Sequence, residues 1–135
     1  MPWEFYFDKN LHTLFWKGWG SFTNQDLADC QDYVQSHADY DATMDQLIDV
    51  SDISPLQLTP VGFWRVIRKR KDRSGNRMAI ISPNNLGFGL GRMFEMMQEG
   101  SPFKVRAFRQ RAGALDWLGL SEEQCHKFEK RGNGS

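Results

Sequence analysis

Two stretches near the start of the chain, Trp3 to Asp8 and Leu11 to Trp19, are rich in aromatic and apolar side chains and are separated by Asp8-Lys9-Asn10. That pattern predicts a β-hairpin with a short turn. In the second stretch Leu11, Thr13, Phe15 and Lys17 alternate with His12, Leu14, Trp16 and Gly18, so neither face is cleanly polar. Both faces of this strand are expected to be covered, as in a sheet flanked by helices. Thr23 with Gln25-Asp26 behind it has the form of an N-cap and acidic first turn. Leu27, Cys30, Tyr33 and Val34 then recur at helical spacing, which predicts an amphipathic helix over 24–38.

Residues 44–53 read as an interior strand, and Ser54-Pro55 breaks its pattern. Thr59-Pro60 is a cap followed by proline at the first helical position. Val61, Trp64, Ile67 and Lys71 share one face of the helix that starts there, with Trp64 expected in the core. Arg77 to Ser82 predicts a short buried strand, and Pro83-Asn84-Asn85 turns the chain. Leu86, Leu90, Met93, Phe94 and Met97 form the stripe of a helix over 86–99. A strand over 103–108, a helix over 110–118 and a short helix over 121–131 complete the series. The order β-β-α-β-α-β-α-β-α is that of an α/β fold: an N-terminal antiparallel hairpin, then parallel crossovers. Residues 1–120 are expected to form one domain, with 121–135 a C-terminal helix and frayed tail.

A length of 135 residues suits one domain with a substantial core. Apolar residues at 40% and charged residues at 25% exclude a disordered or collagen-like chain. No run approaches the ~20 apolar residues of a membrane helix. Met1-Pro2-Trp3-Glu4 lacks the basic stretch and apolar run of a signal peptide, so a cytoplasmic location is expected. The zero formal charge hides a split. Residues 1–60 hold ten acids and two bases, net −8; residues 61–135 hold seven acids and fifteen bases, net +8. In one domain, such a split serves internal complementarity or the docking of two copies, which makes a homodimer an expectation.

Candidate chemistry is sparse. Gly87, Gly89 and Gly91 are spaced G-x-G-x-G rather than as a dinucleotide loop, and they fit a helix packed closely on a sheet. The helix start near Asn84 and Asn85 offers backbone amides to an anion. Asp26, Asp29 and Asp32 lack a glycine-containing ligand loop and read as a solvated face, so no metal is expected. His12, His37 and His126 form no catalytic motif, and Cys125 and His126 diverge by about 100° on a helix. Cys30 fits a small core residue, and no disulfide framework or zinc motif exists. No enzyme signature and no cofactor are expected. Arg65, Arg68, Lys69, Arg70, Lys71 and Arg73 make the strongest electrostatic feature, read as a partner-facing or solvated patch rather than a nucleic-acid surface.

Leu47-Ile48-Asp49-Val50-Ser51-Asp52-Ile53, Met78-Ala79-Ile80-Ile81-Ser82, Leu90-Gly91-Arg92-Met93-Phe94, Val105-Arg106-Ala107-Phe108 and Ala114-Leu115-Asp116-Trp117-Leu118 together resemble the SpoIIAA-like, STAS-type domains of small bacterial proteins. The resemblance spans residues 3–119 and implies a mixed sheet of four or five strands flanked by helices. Anti-sigma-factor antagonists of this type carry a phosphorylated serine in an Asp-Ser pair. The corresponding place here is Leu58-Thr59-Pro60, which has no such pair and leaves Thr59 as the candidate acceptor. The resemblance implies a non-enzymatic regulatory or protein-interaction module. Its expected surface is Ser51 to Thr59 with Trp64, Arg68, Lys69 and Arg70, joined by Asn84 and Asn85. The alternative, from lipid-carrying relatives of the wider superfamily, is a pocket for a small apolar ligand or lipid. Phe15, Trp16, Phe63, Trp64 and Phe88 would line it.

Overall fold

The structure, a computed structural model, describes residues 3–70 and 76–125. Its elements are β1 (Trp3–Asp8), β2 (Thr13–Thr23), α1 (Asn24–Gln35), β3 (Asp45–Gln57), α2 (Pro60–Ile67), β4 (Arg77–Ile81), α3 (Asn85–Met97), β5 (Lys104–Phe108) and α4 (Arg111–Leu118). The strands form one sheet in the order β1-β2-β3-β4-β5. β1 pairs antiparallel with β2, and every later pair is parallel. Strand order therefore follows chain order. Crossovers of one hand that always advance in one direction must leave their helices on one face. Accordingly α1, α2 and α3 lie side by side on one face, and α4, which follows the last strand, packs on β4 and β5.

The two faces carry separate cores. Phe15, Leu47, Ala79 and Ile81 meet Ala114, Leu115 and Leu118 of α4, together with Cys125. On the other face Met78, Ile80 and Val105 meet Phe63 and Ile67 of α2 and Leu90 and Phe94 of α3. Trp16, Phe22 and Ile53 meet Cys30 and Val34 of α1. The mixed periodicity of β2 thus has the physical origin inferred for it: both faces are buried.

Local chemistry sets the helix starts. Thr23 accepts from Asp26 N at 3.1 Å while Asp26 Oδ2 accepts from Thr23 N at 2.9 Å, a complete capping box. Thr59 caps α2 through Gly62 N, with Pro60 following. Gly91 lets α3 approach β5, since a Cβ there would lie 2.9 Å from that of Ala107, and at Gly87 it would collide with the Ser82 hydroxyl.

Four expectations are corrected. β2 starts at Thr13 and runs on to Thr23, its register shifting at Gly18 and Ser21; a Cβ at Gly18 would meet the Trp16 ring and Ile53 at 2.8 and 2.7 Å. β3 does not end at Ser54-Pro55 but continues to Gln57 through a cis peptide. There Gly20 pairs with Ile53 and Phe22 with Leu56, so Ser54 and Pro55 bulge opposite Ser21 alone. β4 reaches only as far as Asp49, and a proline is tolerated at a bulge on a one-sided stretch. α1 stops at Gln35, where the Ser36 hydroxyl donates to Asp32 O at 2.7 Å. In α2 the buried pair is Phe63 and Ile67, whereas Val61 is 60% and Trp64 42% exposed. A helix of two turns can bury only one i, i+4 pair on a sheet, and Phe63 wins by packing edge-on against Phe94. Lys71, Arg73 and the 126–131 part of the last expected helix lie outside the described residues.

Candidate ligand cavity

A cavity of about 110 Å³ runs between the sheet and the three helices on its face. Its floor alternates along the strands, as the two-residue period requires: Leu14, Trp16 and Phe22 from β2, Gln46, Ile48 and Val50 from β3, Met78 and Ile80 from β4. Leu27, Cys30 and Val34 of α1, Phe63 and Ile67 of α2, and Leu90 and Phe94 of α3 close it above. Such a lining, apolar with few polar groups, is typical of a small-molecule site.

The polar groups gather at one end. Just past α2, Arg70 Nη2 donates to Gln46 Oε1 at 3.1 Å and Nη1 approaches Gln31 Oε1 at 3.4 Å. Gln31 Nε2 donates in turn to Val66 O at 2.9 Å, near the end of α2. Both glutamines are buried, and the Arg70 guanidinium stands 6.0 Å from the Phe94 ring centre. Cys30 lines the same space, and burial pushes its thiol up to about 12. Arg70 pulls it down by less than burial raises it, and Asp26, Asp29 and Asp32 raise it further. At neutral pH it is therefore a thiol and not a nucleophile.

Trp16, whose ring lines the cavity, is 5% exposed, and its indole N–H finds no acceptor among the described residues. A buried donor left without a partner costs about 1–3 kcal/mol.

The other expected site residues are dispersed. Ser51 is exposed on β3, where its N–H (2.9 Å) and hydroxyl both donate to Asp49 Oδ1; Asp49 Oδ2 faces Arg111 at 3.6 Å. Thr59 Oγ1 accepts from Gly62 N and from Asn24 Nδ2, each at 3.1 Å. Asn84 Oδ1 takes the amides of Leu86 (2.8 Å) and Gly87 (3.2 Å), the same donors that were expected to hold an anion. Asn85 Oδ1 accepts from Arg109 at 2.8 Å. These helix starts sit at the C-terminal ends of the parallel strands. Arg68, Lys69 and Arg70 follow the far end of α2, about 12 Å away at 1.5 Å per residue. Of the five expected aromatics, Trp16 and Phe63 line the cavity. Phe15 lies on the α4 face, Trp64 is stacked under Arg68 at 4.6 Å, and Phe88 lies under Arg109 at 4.3 Å.

Gln31 and Gln46 were not singled out from the sequence. The signal was present in Gln46, which shares strand parity with Ile48 and Val50 and so had to face inward. Among the described residues no group of three or more His, Cys, Asp or Glu side chains is placed to hold a metal, and no helix is long and apolar enough to cross a membrane.

No family model and no curated protein matches the chain. Its structure is similar to the crystal structure of an uncharacterized protein from the DUF3478 family with a SpoIIAA-like fold, from Shewanella loihica. The two share 19% sequence identity over 87% of this chain and 94% of that one, with a TM-score of 0.54. The fold is SpoIIAA-like: a five-stranded mixed sheet, antiparallel hairpin first, with flanking helices.

Proposed function

We propose that this domain binds a small, mainly apolar molecule carrying one hydrogen-bond-accepting or acidic group. The observation that carries this reading is an apolar cavity whose polar end is built by Arg70, Gln31 and Gln46. A cavity of this polarity and size favours a specific occupant. An engineered apolar cavity of about 150 Å³ takes benzene. A volume of about 110 Å³ therefore suits an aromatic or short-chain molecule, and a long acyl chain needs the helices to part. The test is a thermal-shift titration with toluene, benzoate and hexanoate. A ligand that binds only the folded chain stabilises it as RT ln(1 + [L]/Kd). The carboxylates are expected to raise the melting temperature more than toluene, and Arg70→Met to remove that difference. No rise with any of the three overturns the reading.

A second reading, a protein-interaction module, is supported by the outer face of α2. Val61 and Trp64 stand exposed one turn apart, and Arg68 covers one face of the indole. Exposed tryptophan with arginine is the composition of interface anchors. Trp64→Ala is expected to abolish capture of a protein partner while leaving ligand-induced stabilisation intact.

A further inference from the structure

The charge split in the sequence becomes a direction in space because strand order is chain order. The β1 flank of the sheet belongs to the acidic half and the β5 flank to the basic half, and each flank ends in an outer strand. Tyr6 and Phe108 both pack into the core beneath α4. Alternation then sets Glu4, Tyr6 and Asp8 in one row on β1, and Lys104, Arg106 and Phe108 in one row on β5, on the same face.

The two outer strands differ as edges. β1 has no lysine, no proline and no break in its register from Trp3 to Asp8, so of the usual devices that discourage pairing it carries the charges of Glu4 and Asp8, which a basic strand would neutralise. β5 exposes Lys104 and Arg106, and Glu95 Oε2 accepts its Ala107 N–H at 3.0 Å. That cover is the side chain of Glu95 on α3, which Arg92 also approaches at 3.4 Å.

We propose that copies of this chain associate head to tail, the β1 edge of one on the β5 edge of the next. β1 runs antiparallel to all other strands, so a second copy in the same orientation presents its β5 antiparallel to β1. With Tyr6 opposite Arg106 of the second copy, Asp8 meets its Lys104 and Glu4 lies diagonal to its Arg106. On the reverse face Phe5 meets Ala107 and Phe7 meets Val105, pairings of large against small. Opposite charges and aromatic–aliphatic pairs at these positions are the stabilising cross-strand contacts. A two-fold pairing of β1 with β1 instead joins two acidic flanks, and centred on Tyr6 it sets Glu4 against Asp8. Head-to-tail contacts give rings or filaments, and Glu95 must swing aside to admit the strand.

Sedimentation velocity of the full chain tests this. Concentration-dependent assembly is expected at low salt, weakened about tenfold or more at high salt. Glu4→Lys with Asp8→Lys in one variant, and Lys104→Glu with Arg106→Glu in another, should each remain monomeric. Their equimolar mixture should assemble, because the reversed β1 of one complements the reversed β5 of the other. A native chain that stays monomeric at every salt, a mixture of folded variants that does not assemble, or a dimer that survives the Lys104/Arg106 reversal overturns the proposal. If either variant fails to fold, the salt dependence of the native chain decides.

Discussion

Arg70 Nη2 lies 3.1 Å from Gln46 Oε1, which ties the chain just beyond α2 to the start of β3 at the polar end of the cavity. The contact places a guanidinium against an otherwise apolar space without sinking it in the core, since Arg70 remains half-exposed. Gln46 is 1% exposed, so its amide has little access to water. Replacing it by leucine removes the shorter of the two glutamine contacts that hold Arg70. Gln46→Leu is expected to leave the fold intact and to weaken carboxylate binding more than toluene binding, measured by calorimetric titration of hexanoate and toluene.

Trp16→Phe deletes the unsatisfied donor and leaves a smaller aromatic ring beside Phe22, which packs edge-on against Trp16 at 5.7 Å. Removing an unsatisfied buried donor is expected to raise the stability of the empty chain by about 1 kcal/mol. Urea unfolding checks this.

Two glycines two residues apart on α3, and so on different sides of the helix, make opposite predictions. At Gly91 a Cβ would lie 2.9 Å from the Ala107 Cβ, and β5 would have to give way. Gly91→Ala is expected to cost about 1–3 kcal/mol. Nothing lies within 4 Å of the position at Gly89, so Gly89→Ala should stabilise by about 0.5–1 kcal/mol through helix propensity. Parallel urea titrations of the two variants read the difference.

Burial raises the Cys30 thiol from 9.0 to about 12. The folded chain therefore keeps its proton where the unfolded chain has lost it, and the sign follows. The stability linked to this group is fully present below pH 9 and is lost as pH rises from 9 towards 12, at about 1.4 kcal/mol per pH unit. Unfolding free energies at pH 8 and 10 should fall less in Cys30→Val than in the native chain.

Thr59→Ala removes the acceptor used by Gly62 N and Asn24 Nδ2. A lost N-cap costs about 1 kcal/mol. The melting temperature should drop, with ligand-induced stabilisation preserved, because Thr59 lies at the other end of α2 from Arg70.

Much of this architecture is legible in the chain because local signals agree with it. Thr23, Thr59 and Asn84 announce three helix starts, and the doubled periodicity of β2 announces a sheet covered twice. Where the reading failed, a tertiary condition outweighed the local one. Pro55 looks like a strand end until β4 proves too short to flank it. Trp64 looks like core until Phe63, one residue earlier, takes the sheet-facing position. The polar end of the cavity joins residues 31, 46 and 70 from three elements, a convergence that no local spacing encodes.

The most direct measurement is a ¹H–¹⁵N spectrum of the chain titrated with hexanoate, with the Trp16 indole resonance assigned through Trp16→Phe. That resonance is expected to shift saturably, while the exposed Trp64 indole stays in place. A Trp16 resonance that does not move at millimolar ligand, under conditions where benzoate and toluene also leave it unchanged, contradicts a ligand-binding cavity.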